Sequence, residues 1–577
     1  MKSKSLIVVA SLILVIGMGL RIHNIGSKSI WMDEVMHSLY AKGSFGTIIE
    51  PKQGVMPAYT LILKLWRLVA NSKVTTLRIL SAILGTLTIF ILFKLTNAIY
   101  GKGVAIISSL LLCLSPLHIF YSQQIGPYSL FVLAALLFVY SIFKLFNTGV
   151  WYWYMNFCFS FALLILTHLY SFFFILSLNI MFIFYFKKYK KIISIIFILQ
   201  VAMFLIFADY FHAALLGLIN RGFVSLSWIP RVDFYKSFIV TLRTFSYGGG
   251  AYGGNSIRIP EADLIIPSKL FFIYMFCCVF AVLSVHKLKK LSNFSFGMPF
   301  VLTWLFGGYA ISYLISYFFM PIYVIRYILY SLPAFYILIS IGIWRLRYNF
   351  FRFGILFIIV GLNIYTLIYY YSSELNFPWK KVVSYLYSRD ITRKDLVIFD
   401  PEFQAPVLSG NDLFLRGEGL NQRSSQVYEA FIPFGKFRDH ILRYYRNRSM
   451  LSSPFPNSSK RIFLIQSIWS GSRYRYSYPL FNNTRSIPEV GQSKYFSYNP
   501  CKLRRYFDIL SSRKTEVFFY NTRAMKYVIN DGASRYGFIA GRRVYIGEFY
   551  LDDNFVGKVP EAERALFSFY DYSERLR

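Results

Sequence analysis

The sequence predicts an α-helical polytopic membrane protein, with about eleven transmembrane helices and a C-terminal α/β domain, and three observations lead there. Of 577 residues, 56% are hydrophobic and 20% aromatic while only 15% are charged, a balance foreign to a soluble domain of this size. Apolar runs long enough to approach a hydrocarbon core of about 30 Å fall at residues 5–20, 79–99, 104–121, 127–146, 151–168, 169–186, 192–211, 268–286, 297–319, 327–344 and 353–372. The chain also changes character near residue 373. Residues 374–577 hold 32 of the 62 Lys/Arg and 20 of the 27 Asp/Glu, so seven carboxylates remain for residues 1–373. The expected division is a membrane domain over 1–373 and an extracytoplasmic domain over 374–577.

The first run has a basic start and no small-residue cleavage site before Arg21 and His23, so it reads as an uncleaved signal anchor. The run 151–186 divides in two at a tight turn around His168 to Ser171. With the N-terminus cytoplasmic, alternation puts Lys102, Lys144, the cluster Lys187, Lys188, Lys190 and Lys191, then Lys287, Lys289 and Lys290, and finally Arg345, Arg347 and Arg352 on the same inner side. That is the distribution the positive-inside rule demands. Much of the membrane half's positive charge is therefore topological, and the net charge of +35, spread over both halves, points to no nucleic-acid role. Four of five cysteines sit inside apolar runs, which leaves no disulfide framework.

Two long loops, 21–78 and 212–267, then face outward with the tail. Within the first, 56–68 is apolar but too short to span, and is expected along the interface. The tail alternates helical signals at 379–387 and 437–445 with apolar strands at 395–399, 461–466, 516–520 and 544–550, the pattern of an α/β domain.

The seven membrane-half carboxylates include one adjacent pair, Asp33-Glu34, a dozen residues after the first span in Ser29-Ile-Trp-Met-Asp-Glu34. Partial burial and mutual repulsion at a membrane surface would suit one of them to general-base work. The plainer alternative is a helix N-terminus favouring negative charge. Arg326, at the outer end of a span, is costly at membrane depth without an anionic partner, and its fork suits phosphate; snorkelling to the headgroups is the competing reading, as it is for Arg78. His37 would share a helix face with Asp33, so a divalent metal stays open, although the sequence nominates no further ligand. His168 stands at a span end, where a satisfied buried histidine is the common case.

Five stretches occur in the order found in bacterial membrane glycosyltransferases of the dolichyl-phosphate-mannose-protein mannosyltransferase type, a group that includes the lipid A aminoarabinose transferase, and the chain resembles that family. They are Ser29-Ile-Trp-Met-Asp-Glu34, Met56-Pro-Ala-Tyr-Thr-Leu-Ile-Leu-Lys-Leu-Trp66, Leu77-Arg-Ile-Leu-Ser-Ala-Ile-Leu-Gly85, Ser115-Pro-Leu-His-Ile-Phe-Tyr-Ser-Gln123 and Arg326-Tyr-Ile-Leu-Tyr-Ser-Leu-Pro333. The resemblance implies the C-type glycosyltransferase fold and transfer from a polyprenyl-phosphate-linked sugar donor, on the outer face of the plasma membrane, to a glycan, lipid or protein acceptor. It implies Asp33 as the base of an inverting displacement, supported by Glu34, and Arg326, Tyr327 and Arg78 on the donor phosphate. His37, Tyr121, Gln124, Tyr128 and His168 are the candidate substrate-pocket residues. One departure is visible: Tyr121-Ser-Gln-Gln-Ile-Gly-Pro-Tyr128 has Gln124 and Gly126 where the family commonly has an acid and an arginine. Either the two formed a pair whose joint loss leaves a working site, since neither charge is then unpartnered, or the donor or acceptor pocket has changed, or activity has been lost. From the residues themselves, a transport, polymerase or non-catalytic component of envelope polysaccharide assembly remains open. A transporter would show repeated halves or intramembrane charge, and only Asp209 lies near a span interior.

Overall fold

The computed structural model describes residues 3–51, 56–221, 229, 233–248, 265–283, 297–372, 379–380 and 383–384, and four strands beyond them. The chain divides into two compact units, one of Met1–Ser27 with Met36–Ser373, the other of Lys28–Val35 with Glu374–Arg577.

The first unit is helical, and its elements follow the apolar runs. Helix α1 (Ser3–Ile22) leads to α2 (Met32–Tyr40), α3 (Phe45–Ile49) and α4 (Pro57–Val69), then to α5 (Val74–Tyr100). Helices α6 (Lys102–Cys113) and α7 (Pro116–Ser122) occupy the run 104–121, bent by 60° at Leu114-Ser115. The break is written in the sequence. Ser115 accepts from the His118 N–H as N-cap and Pro116 takes N1, where its missing donor costs nothing. Helices α8 (Tyr128–Thr148), α9 (Tyr152–Ile165) and α10 (Ser171–Ile206) come next. At 1.5 Å per residue α10 would extend about 54 Å, too long for one crossing. It kinks at Tyr189, between the four lysines, where φ is −126°. Here the expected inner loop is reduced to a single non-helical residue. The run 192–211 is itself divided at Phe207, with α11 (Ala208–Arg221) following.

Helices α12 (Phe234–Tyr247), α13 (Ile265–Leu283), α14 (Gly297–Phe318), a 3-10 segment (Ile325–Ser331), α15 (Leu332–Arg345) and α16 (Asn349–Ser372) complete the unit. Among the described residues, seven helices are long and apolar enough to span a bilayer, or eight with the bent pair. Dividing α10 at its kink and admitting the two shorter apolar helices, α9 and α13, recovers the eleven runs. Helix α4 matches the short apolar segment of the first loop. It buries Tyr59, Thr60 and Leu63 and leaves Leu65, Leu68 and Val69 exposed.

Helices approach closely where glycine permits it. A Cβ on Gly342 of α15 would lie 2.1 Å from the Cys277 carbonyl oxygen of α13, and one on Gly308 of α14 would lie 1.5 Å from the Tyr330 hydroxyl. Backbone cannot yield as a flexible side chain can. Gly342→Ala is therefore expected to cost about 3 kcal/mol through overpacking, read as a lower thermal midpoint in detergent. Gly354→Ala, which meets nothing within 4 Å, is its control.

In the second unit a four-stranded sheet has the order β2-β1-β3-β4, from β1 (Leu396–Asp400), β2 (Phe431–Pro433), β3 (Arg461–Ile468) and β4 (Arg543–Tyr550). β1 pairs parallel with both β2 and β3, and β3 antiparallel with β4. Three of the expected strands, 395–399, 461–466 and 544–550, fall on β1, β3 and β4 within about two residues. The strand at 516–520, the helix at 437–445 and most of that at 379–387 lie outside the described residues, as do Lys287, Lys289 and Lys290.

Candidate active site

The first unit gathers most of the expected pocket at the ends of α7, α9 and α14. The stretch after α14 is tied down residue by residue: Ser316 Oγ accepts from the Ile322 and Tyr323 N–H groups at 3.0 and 2.6 Å, and the Tyr170 hydroxyl donates to the Ile322 carbonyl. Arg326 follows at the start of the 3-10 segment. The residue is 7% exposed, and its guanidinium lies 5.0 Å from the Tyr327 ring centroid and donates from Nη2 to the Tyr327 hydroxyl at 3.3 Å. A planar cation on an aromatic face is preoriented, so less rotamer entropy is lost when it meets an anion.

Around it the rings form a continuous wall. His168 lies 4.9 Å from Tyr327, 5.5 Å from Tyr170 and 4.9 Å from Phe131, on which it stacks. Tyr128 lies 6.2 Å from His168 and 4.7 Å from Tyr121. His168 sits in the connection between α9 and α10, outside both helices. The Tyr170 N–H donates to its Nδ1 at 3.2 Å, which leaves the proton on Nε2. Burial, reinforced by Arg326 and His37, pushes its pKa down to about 3. At physiological pH it is a neutral hydrogen-bond donor, and Arg326 is the fixed positive charge beside it. His37 itself packs edge-on against Tyr59 at 5.4 Å. Gln124 is buried and its carbonyl oxygen has no hydrogen-bond partner. Gly126 has an ordinary φ, and a Cβ there would meet only the Tyr128 ring at 3.6 Å, so its lack of a side chain is not a steric requirement.

Three further expected residues are placed by the chain around them. Arg78 is 1% exposed, and its Nη1 donates to the Ile25 carbonyl at 2.8 Å, against the chain leaving α1. Asp33 and Glu34 belong to the second unit by chain grouping, in the first turn of α2. Glu34 is fully buried and accepts from the Trp31 N–H at 3.3 Å, and Asp33 is half-buried. The helix puts His37 one turn after Asp33 on the same face. Among the described residues no three His, Cys, Asp or Glu side chains converge, so Asp33 and His37 would give a divalent metal two donors without a third.

Sequence reasoning missed Tyr170, which reads as one more aromatic at a span end, and Arg21 and Gln123. Arg21 is wholly buried, donating to the Leu112 and Cys113 carbonyls that end α6 at 3.3 and 3.4 Å, and to His118 Nδ1 at 2.7 Å. It secures the bend between α6 and α7 by capping orphan carbonyls. In the sequence it stands only as the residue that follows the uncleaved anchor.

The family model described as dolichyl-phosphate-mannose-protein mannosyltransferase matches residues 52–210. That stretch carries three of the five motifs, so the resemblance read from them stands. No curated protein matches the chain. Among solved structures, ArnT from Cupriavidus metallidurans in the apo state is similar with a TM-score of 0.50 at 11% identity, covering 79% of this chain and 92% of that one. The same protein bound to undecaprenyl phosphate gives 0.45 at 11%, covering 81% and 94%. The Archaeoglobus fulgidus oligosaccharyltransferase in the apo form gives 0.48 at 12%, covering 80% and 70%. The likeness to apo ArnT establishes the fold, that of a multi-pass membrane protein.

Proposed function

We propose, from this likeness in family and fold, that the chain is a glycosyltransferase moving a sugar from a polyprenyl-phosphate donor to an acceptor hydroxyl on the outer face of the inner membrane. The observation that carries the reading is the Arg326 guanidinium, buried against Tyr327 and walled by His168, Tyr170 and Tyr128. A cation kept at membrane depth by aromatic rings and hydroxyls suits a sugar phosphate carried on a lipid, because aromatic faces take the apolar side of a sugar and hydroxyls its polar edge. The orientation rests on the basic clusters, which put the N-terminus inside and residues 374–577 outside.

The reaction is an in-line displacement. Asp33 accepts the proton of the acceptor hydroxyl as its oxygen forms a bond to the anomeric carbon. The bond from that carbon to the phosphate oxygen breaks, and polyprenyl phosphate leaves with the electron pair. Attack opposite the leaving group inverts the anomeric centre. Arg326 stabilises the charge that grows on the leaving phosphate, with Tyr327 orienting its fork, while Glu34 and Arg78 fix the chain on either side of the base.

Membranes containing the protein, incubated with a panel of labelled polyprenyl-phosphate sugars, test this directly. Label passing from the lipid fraction to acceptor supports transfer and names the donor. Label retained in every lipid, or merely moved across the bilayer, sinks it in favour of a transport or assembly role.

A further inference from the structure

Helix α12 turns a row of small hydroxyls inward. Its ends are fixed locally: the Asp233 carboxylate accepts from the Lys236 N–H at 3.2 Å, and Gly248, with a φ of 77°, closes the last turn. Between them Ser237, Thr241 and Thr244, spaced for one face, are buried, while Phe234 and Tyr235 are exposed. Each of the three gives its proton to its own helix, Ser237 to the Phe234 carbonyl at 2.9 Å, Thr241 to the Ser237 carbonyl at 2.6 Å and Thr244 to the Val240 carbonyl at 2.7 Å. A hydroxyl so engaged can meet a further partner only as an acceptor. Two tyrosines supply the protons: the Tyr309 hydroxyl donates to Ser237 Oγ at 2.8 Å, and the Tyr323 hydroxyl donates to Thr241 Oγ1.

The place of Tyr323 in the chain gives the second of these bonds its meaning. It stands three residues before Arg326, in the non-helical stretch 319–324, where Pro321 keeps α14 from running on. Backbone groups there have no helix ladder to satisfy them. Ser316 repeats the device of α12, donating to the Ser312 carbonyl at 2.8 Å while it accepts from the Ile322 and Tyr323 N–H groups. With the Tyr170 hydroxyl on the Ile322 carbonyl, the backbone is held at two consecutive residues. The Tyr323 ring stands perpendicular to that of Tyr309 at 5.4 Å, and Thr241 holds its far end. Only Val324 and Ile325 then separate it from Arg326, and the Tyr327 N–H closes onto the Val324 carbonyl at 3.0 Å. All these contacts lie within the first unit.

We propose that Thr241 is a positioning residue: through the Tyr323 hydroxyl, α12 fixes where the Arg326 guanidinium stands to meet the donor phosphate. The proposal rests on the transferase reading for the work of Arg326, although not for the tie itself. Thr241→Val keeps the shape and removes the acceptor, Tyr323→Phe removes the donor, and Thr241→Ser retains the bond. Each deletion should raise backbone hydrogen exchange at Ile322, Tyr323 and Tyr327 about tenfold and lower kcat about tenfold. Combined, they should cost no more than either alone, because both remove one bond. Thr241→Ser should stay within about twofold of the wild type. In an Arg326→Met background Thr241→Val should cost less than about twofold more, since the group it places is gone. A residue that only stabilised the fold would lower the thermal midpoint in detergent and add its full cost in that background. Exchange unchanged in both deletions, or a kcat loss from Thr241→Val undiminished in Arg326→Met, overturns the proposal. So does raised exchange with kcat and polyprenyl-phosphate binding both unchanged. Raised exchange with weakened polyprenyl-phosphate binding, in a protein whose wild type transfers no sugar, supports the positioning and removes the transferase reading instead.

Discussion

Asp33→Asn is expected to lower kcat/KM for sugar transfer by about 10³-fold, within the range that removal of a general base commands. Asparagine is the same size and keeps the helix-starting preference of aspartate, so α2 should begin where it does and Glu34 should stay buried with its bond from the Trp31 N–H. What is lost is the capacity to take a proton. If the pair served only to place negative charge at a helix N-terminus, the change would be worth less than about 1 kcal/mol and would show in the thermal midpoint, not in turnover. Asp33→Glu separates base from charge: it retains the carboxylate but carries it one methylene further. Since a displacement near 1 Å can cost about 10²-fold, Glu should restore little. Transfer by Asp33→Asn within about threefold of the wild type would remove Asp33 from the chemistry and revive the transport or assembly reading.

Which features could be read in the amino-acid order follows from how local their causes are. Apolar length is local, and among the described residues the eleven runs are filled largely by helix, though not always by one helix each. The tight turn expected around His168 appears as the five residues between Ile165 and Ser171. Hydropathy records no geometry, however, so 104–121 looked continuous although Ser115-Pro116 is an N-cap followed by proline and bends the span by 60°. The same blindness made a loop of the lysine cluster, which a helix accommodates with one kinked residue at Tyr189. Site residues divide in the same way. Arg326 was legible because a lone arginine at a span end is conspicuous. Gln123 was not, because its partners are at Arg21, His23 and Tyr370, some 100 and 247 positions away, and a glutamine in Ser-Gln-Gln reads as loop polarity. Arg21 was not legible for the same reason: its partners, the carbonyls of Leu112 and Cys113, lie 91 and 92 positions away, and only they explain a wholly buried arginine.

Arg326→Met is expected to cost about 10³-fold in kcat/KM, with Arg326→Lys between it and the wild type. Methionine fills much of the same volume, so the wall formed by Tyr327, His168 and Tyr170 should persist while the cation is gone. Burial, the largest cause of the lowered His168 pKa, persists once the guanidinium is gone, so His168 should not take over the charge. Lysine restores a positive charge but not the fork. It offers a single ammonium where the guanidinium can span two phosphate oxygens while lying on Tyr327, and this exchange is not conservative at a stacked, bidentate site. The split between parameters tells where the guanidinium acts. A residue that only holds the donor raises KM and spares kcat, whereas one that meets charge growing on the departing phosphate lowers kcat as well. Because the phosphate gains charge as its bond to the sugar breaks, most of the loss should appear in kcat. Binding of polyprenyl phosphate, the product that bears that full charge, should weaken in parallel. Wild-type turnover and polyprenyl-phosphate binding in Arg326→Met would mean that the arginine merely reaches for lipid headgroups and that the leaving phosphate is held elsewhere.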